Sequence, residues 1–138
     1  MTEKNRIEWS LLLLRLGVFI VMFVWTLDKF VAPGHAAKVF EHFYFLSGLG
    51  KEIVFAIAAV EMVIVLAFLA GLYKKWIYGI VMIVHGISTL SSWKIYLDPW
   101  PDQPAPNLLF FAAWPMLAAC IALFLLRDLD RKCILGKG

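Results

Sequence analysis

Apolar residues run along this chain in four blocks separated by short polar breaks. The blocks Trp9–Phe30, Ile53–Tyr73, Trp76–Leu97 and Leu108–Leu126 each hold about twenty residues, and at about 1.5 Å per residue each matches a hydrocarbon layer of about 30 Å. Lys74 and Lys75 leave room only for a tight turn, so the second and third blocks form an antiparallel helical hairpin. Pro99, Pro101, Pro104 and Pro106 make the connection to the last block stiff and non-helical. Pro115 lies inside that last block, where it is expected to kink the helix or free a carbonyl that a neighbouring helix must satisfy. The expected fold is all-α: a polytopic membrane protein with a four-transmembrane-helix bundle, forming one integral membrane domain over residues 1–138.

The stretch from His35 to Leu46 is too polar to span. Ala36, Val39, Phe40 and Phe43 recur at helical spacing, opposite Lys38, Glu41 and His42. This is the pattern of an amphipathic helix lying on the outer membrane face. It fits a cover over the bundle mouth, a docking surface, or an apolar loop packed on headgroups.

Composition agrees with a bilayer as solvent. The chain is 62% hydrophobic and only 17% charged, too little charge to cover a soluble domain of 138 residues. The net charge of +3 does not point to nucleic acid, because the basic residues flank helices and form no patch on one element. Lys4, Arg6, Lys74, Lys75, Arg127, Arg131, Lys132 and Lys137 fall on one side, against Lys29, Lys38, Lys51 and Lys94 on the other. That bias predicts cytoplasmic N- and C-termini in a multi-pass protein of the cell inner (plasma) membrane. Trp9 and Trp76 then sit at the inner interface, and Trp25, Trp93 and Trp100 near the outer one. The first block continues too far, with no small-residue cleavage site, to read as a signal peptide. Cys120 and Cys133 form no C-x-x-C motif; on one helix they would stand about 20 Å apart, beyond a disulfide.

Candidate chemistry lies in the ionisable residues inside the blocks. Glu61 and His85 each stand near mid-span, where a charge costs roughly 2.5–3.5 kcal/mol on insertion scales. His85, Ser88, Thr89 and Ser92 are spaced i, i+3, i+4, i+7 and share a helix face, extended by Tyr78 and Tyr96. Counting the helical rise puts Glu61 about 18 Å and His85 about 13 Å above the inner end, within one turn of each other. Arg15 enters from the first helix about 9 Å above Trp9, on a face that continues through Met22, Thr26 and Lys29. Convergence of these groups would make a pocket for a polar head in an apolar wall, with a proton-exchanging pair. The same groups also fit a structural network that fixes helix packing through Glu61 and Arg15 or His85. His35 and His42 are two turns apart with only Glu41 near them, so no metal site is expected. One buried histidine is also too few for a bis-His haem.

The run Leu14-Arg15-Leu16-Gly17-Val18-Phe19-Ile20, then Trp25-Thr26-Leu27-Asp28-Lys29-Phe30 and Pro33-Gly34, resembles the first helix and exit segment of DoxX-like membrane proteins. Val60-Glu61-Met62 in its Ala-rich helix is similar to that family's Glu-bearing second helix. The resemblance covers nearly the whole chain. It implies a small inner-membrane bundle, an accessory or quinone-facing part of an oxidoreductase system, and carries over Arg15, Lys29 and Glu61. His85 and the proline-rich loop have no counterpart in the matched motifs.

The functional expectation is a protein that binds a lipophilic ligand between its helices, with a quinone as leading candidate and no covalent cofactor. The candidate residues are Glu61, His85, Arg15, Ser88, Thr89 and Ser92, with Lys29 and Thr26 secondary. A quinone needs donors for its carbonyls and protons on reduction. No residue here carries electrons over distance, so a partner oxidoreductase subunit or bound cofactor is required, and catalysis by the chain itself stays open. The alternatives are a proton-coupled small-molecule transporter using Glu61 and His85, and a non-catalytic assembly factor docking through the outer amphipathic segment.

Overall fold

The computed structural model describes residues 1–102 and 107–136. They form six α-helices: α1 (Glu3–Val31), α2 (Pro33–Tyr44), α3 (Lys51–Leu69), α4 (Lys74–Ser91), α5 (Trp93–Leu97) and α6 (Ala113–Leu125), with a 3-10 turn over Leu108–Ala112 before α6. No strand occurs among the described residues. Among the described residues, three stretches are long and apolar enough to cross a membrane: Glu3–Val31, Lys51–Leu69 and Leu108–Leu125. Polar residues on α4 leave it short of that standard by composition, although it packs against both α3 and α6. Pro104, Pro106 and Lys137 lie outside the described residues.

The first helix starts earlier than its apolar block. Thr2 caps it by accepting from the Asn5 backbone N–H at 3.3 Å, and Glu3 lies in the first turn, where a carboxylate favours the helix dipole. Pro33 opens α2 at a position where its missing N–H costs nothing. The turn after α3 is a Schellman closure. Gly71 adopts φ +65°, its N–H bonds Phe68 O at 3.1 Å, and Leu72 N–H bonds Ala67 O at 3.0 Å.

Two boundaries differ from the sequence expectation. The third block is not one helix: Ser92 separates α4 from α5. Nor does Pro115 sit mid-helix. It falls in the first turn of α6, directly after the 3-10 turn, where a missing N–H is tolerated. Helix α6 ends at Leu125, so Cys120 and Cys133 do not share a helix. Cys120 is buried and Cys133 exposed, both free.

Helix α1 packs on α3 and α6, and α4 packs on α6 and α3, with α2 lying against α1, α3 and α4. The core is one stripe per helix. Leu11, Arg15, Val18, Met22 and Thr26 from α1 meet Val65 and Phe68 of α3, Tyr78, Val81, His85 and Thr89 of α4, and Cys120 and Leu123 of α6. The opposite faces carry exposed Leu13, Ile20, Val24, Val60, Val63, Ile83, Ile87 and Leu125. That is the distribution of a protein whose outer solvent is hydrocarbon.

The N-terminal turn of α1, the α3–α4 turn and the segment after α6 gather at one end of the molecule. Glu8 pairs with Lys132 at 3.6 Å, Lys74 Nζ donates to Asp130 O at 2.6 Å, and Leu135 N–H bonds Ala70 O at 2.8 Å. The opposite end carries α2 and α5.

Candidate functional site

The candidate residues separate into three groups. At the end bearing the chain termini, Arg15 is fully buried on the inward stripe of α1. Its Nη1 donates to Asp130 Oδ2 at 3.0 Å and to the Tyr78 hydroxyl at 3.3 Å. Its Nη2 donates to the backbone carbonyls of Lys132 and Cys133. Tyr78 in turn donates to Asp130 Oδ2 at 2.7 Å. A guanidinium offers five N–H donors in a fixed fork, and here one fork holds three chain segments together. Lys74, ahead of the apolar part of α4, is kept below the ordinary lysine range by burial, with the Asp130 carboxylate opposing the shift.

Glu61 pairs with Lys29, Oε2 to Nζ at 2.8 Å, and both side chains are partly exposed. Lys29 Nζ also donates to Trp25 O at 3.3 Å and lies 6.0 Å from the Phe40 ring centroid. Among the described residues, no hydrogen bond or ion pair joins Glu61 to Arg15 or to His85. Side-chain direction explains this. Cα–Cβ bonds tilt toward a helix's N-terminus, and α1 and α3 run antiparallel. Arg15 therefore reaches toward the end with the termini, while Glu61 reaches toward the opposite end and meets Lys29, which leans back to it. The His85 imidazole turns to α6, where its Nε2 lies 3.1 Å from Ala113 O, so a Cα height within one turn of that of Glu61 does not bring the two side chains together.

The third group lines the inside of α4 toward α2. His85 is buried; its Nε2 lies 3.1 Å from Ala113 O and 3.3 Å from Thr89 Oγ1. Thr89 also donates to His85 O at 2.8 Å, and Ser92 to Ser88 O at 3.2 Å. Ser88 Oγ is 2.6 Å from the Tyr44 hydroxyl, so the amphipathic α2 is tied onto α4. The Trp25 ring lies 6.2 Å from the imidazole, centroid to centroid. Thr26 turns inward but bonds its own helix at Met22 O, 2.8 Å away. His85 Nδ1 is buried with no protein partner, and the Tyr96 hydroxyl on α5 is buried beside Ser92 without a well-formed hydrogen bond to it.

Asp130 and Tyr44 are the functional-looking residues that sequence reasoning missed. A clue to Asp130 did exist: an arginine inside an apolar helix requires a counter-charge. Tyr44 closes the amphipathic segment, but nothing in its spacing marks Ser88 as its partner. Among the described residues, no three His, Cys, Asp or Glu side chains come together as a metal site. No protein-family model, curated protein or solved structure matches this chain.

Proposed function

We propose that this chain is a multi-pass protein of the cell inner membrane, with α1, α3, α4 and α6 spanning and both termini cytoplasmic. It binds a lipophilic small molecule with a polar head beside His85, under the cover of α2, and serves as an accessory, quinone-facing component of a membrane oxidoreductase. The observation that carries this reading is the buried, unpartnered His85 Nδ1. A buried donor or acceptor left unmade costs about 1–3 kcal/mol, and a ligand carbonyl or hydroxyl would recover it. Tyr44, Ser88, Thr89 and Ser92 add hydroxyls along the same wall. The DoxX-like sequence around Arg15, Trp25–Phe30 and Glu61 supports the quinone assignment. So does the chemistry, since a quinone accepts hydrogen bonds at both carbonyls and takes up protons on reduction.

In this reading Arg15 with Asp130 fixes the cytoplasmic end, and Lys29 with Glu61 ties α1 to α3. Solvent extracts of the purified protein test the proposal: a quinone retained by wild type and lost in His85→Ala supports it. An extract free of quinone with proton-dependent solute flux in liposomes would replace it with the transporter reading.

A further inference from the structure

A groove away from His85 lies toward the end where the α3–α4 turn and the segment after α6 gather. The segment after α6 folds back between α1 and α3 and leaves a groove of about 300 Å³ beside it. Leu12 and Leu16 of α1, Leu66 and Leu69 of α3 and Leu135 of the C-terminal segment line it, together with Arg15 and Cys133. Leu16 and Leu66 are exposed on the lipid-facing side, so the groove is open along the hydrocarbon. Arg15 is completely buried; its two terminal nitrogens are engaged by Asp130, Tyr78 and the carbonyls of Lys132 and Cys133, yet its Nε has no partner.

We propose that this groove holds one phospholipid of the cytoplasmic leaflet, an acyl chain along the leucines and an ester or phosphate oxygen accepting from Arg15 Nε–H. The walls are apolar, as an acyl chain requires, and Arg15 Nε, a donor without a partner, lies among them. Charge at that end is complementary to a phosphate: Lys4, Arg6, Lys74, Lys75, Arg127, Arg131 and Lys132 outnumber Glu3, Glu8, Asp128 and Asp130. Depth agrees as well, because Arg15 stands about 9 Å inside Trp9 by helical rise and its side chain leans outward toward the headgroup layer. The groove exists only while the C-terminal segment is docked, so lipid and tail stabilise each other's position. The proposal is independent of the ligand at His85.

The test is native mass spectrometry and a phosphorus assay on protein purified in mild detergent with exhaustive exchange. Leu16→Trp/Leu66→Trp fills the groove from exposed positions, and Ile20→Trp, on an exposed face outside the groove, is the control. Wild type and the control are expected to keep about one phospholipid per chain, and the filled variant about tenfold less, equivalent to about 1.4 kcal/mol. Absence of retained phospholipid in wild type overturns the proposal, as does equal retention in all three proteins. Loss of a bound quinone in place of phospholipid in the filled variant would also overturn it.

Discussion

Arg15 and Asp130, separated by 115 positions in the chain, form a buried ion pair with Nη1 3.0 Å from Oδ2 and side chains 1% and 0% exposed. The pair joins the first helix to the segment after the last one. Breaking such a pair by removing one partner leaves an uncompensated buried charge, at a cost of about 3–5 kcal/mol. Asp130→Ala is therefore expected to lower the thermal unfolding midpoint in detergent strongly. Arg15→Met/Asp130→Leu should be far closer to wild type, since both charges are gone. A double variant as unstable as Asp130→Ala would show that the carbonyls of Lys132 and Cys133, not the ion pair, carry the contact.

The Lys29–Glu61 pair should behave differently. Its side chains are 15% and 24% exposed and Lys29 stands in the last turn of α1; where water and salt reach it, such a pair contributes about 0.2–1 kcal/mol. Glu61→Gln and Lys29→Gln are each expected to cost little, with a coupling below about 1 kcal/mol in a double-mutant cycle. A coupling of several kcal/mol would mean that the pair lies in hydrocarbon.

At Gly71 two constraints coincide. Its φ is +65°, and an added Cβ would stand 2.5 Å from Ile134 Cγ2 and 3.0 Å from Arg15 Nη1. The left-handed conformation alone costs a side chain roughly 1–2 kcal/mol, and the contact with Ile134 adds to it. Gly71→Ala is expected to loosen the C-terminal segment, seen as faster tryptic cleavage at Arg131 and Lys132, while the helices stay folded by circular dichroism. Unchanged cleavage would show that the tail is held elsewhere.

Membrane sidedness can be read from cysteines. Cys133 is exposed near the termini and Cys120 is buried, so an impermeant maleimide on intact cells should leave the wild type unlabelled and label Asp102→Cys. In inside-out vesicles Cys133 should react. Labelling of Cys133 from outside intact cells would invert the orientation.

Much of this architecture was legible from the sequence because burial and helical period are one-dimensional signals. Of the face predicted for His85, Ser88, Thr89 and Ser92, His85 and Thr89 lie on the buried face of α4, Ser88 is half-buried beside them and Ser92 is buried just past the helix end; the amphipathic segment at 35–46 overlaps the helix Pro33–Tyr44. Pairing across helices was less legible. Counting residues gives the height of a Cα atom but not the direction in which a side chain leaves it, and in antiparallel helices these directions diverge. Glu61 therefore meets Lys29, and Arg15 meets Tyr78 and Asp130. The partner of Arg15 lies in a tail that is not helical, where no period announces it.

The central claim, a quinone-type ligand beside His85, is tested most directly by tryptophan fluorescence. The Trp25 ring is 6.2 Å from the imidazole, close enough for a bound quinone to quench it. Titration of a short-chain quinone into purified protein should give saturable quenching. Trp25→Phe should remove most of the saturable amplitude, and His85→Ala should weaken the affinity about tenfold or more, the loss of about 1.4 kcal/mol that one hydrogen bond represents. Linear, non-saturating quenching that is identical in wild type, Trp25→Phe and His85→Ala would contradict the claim.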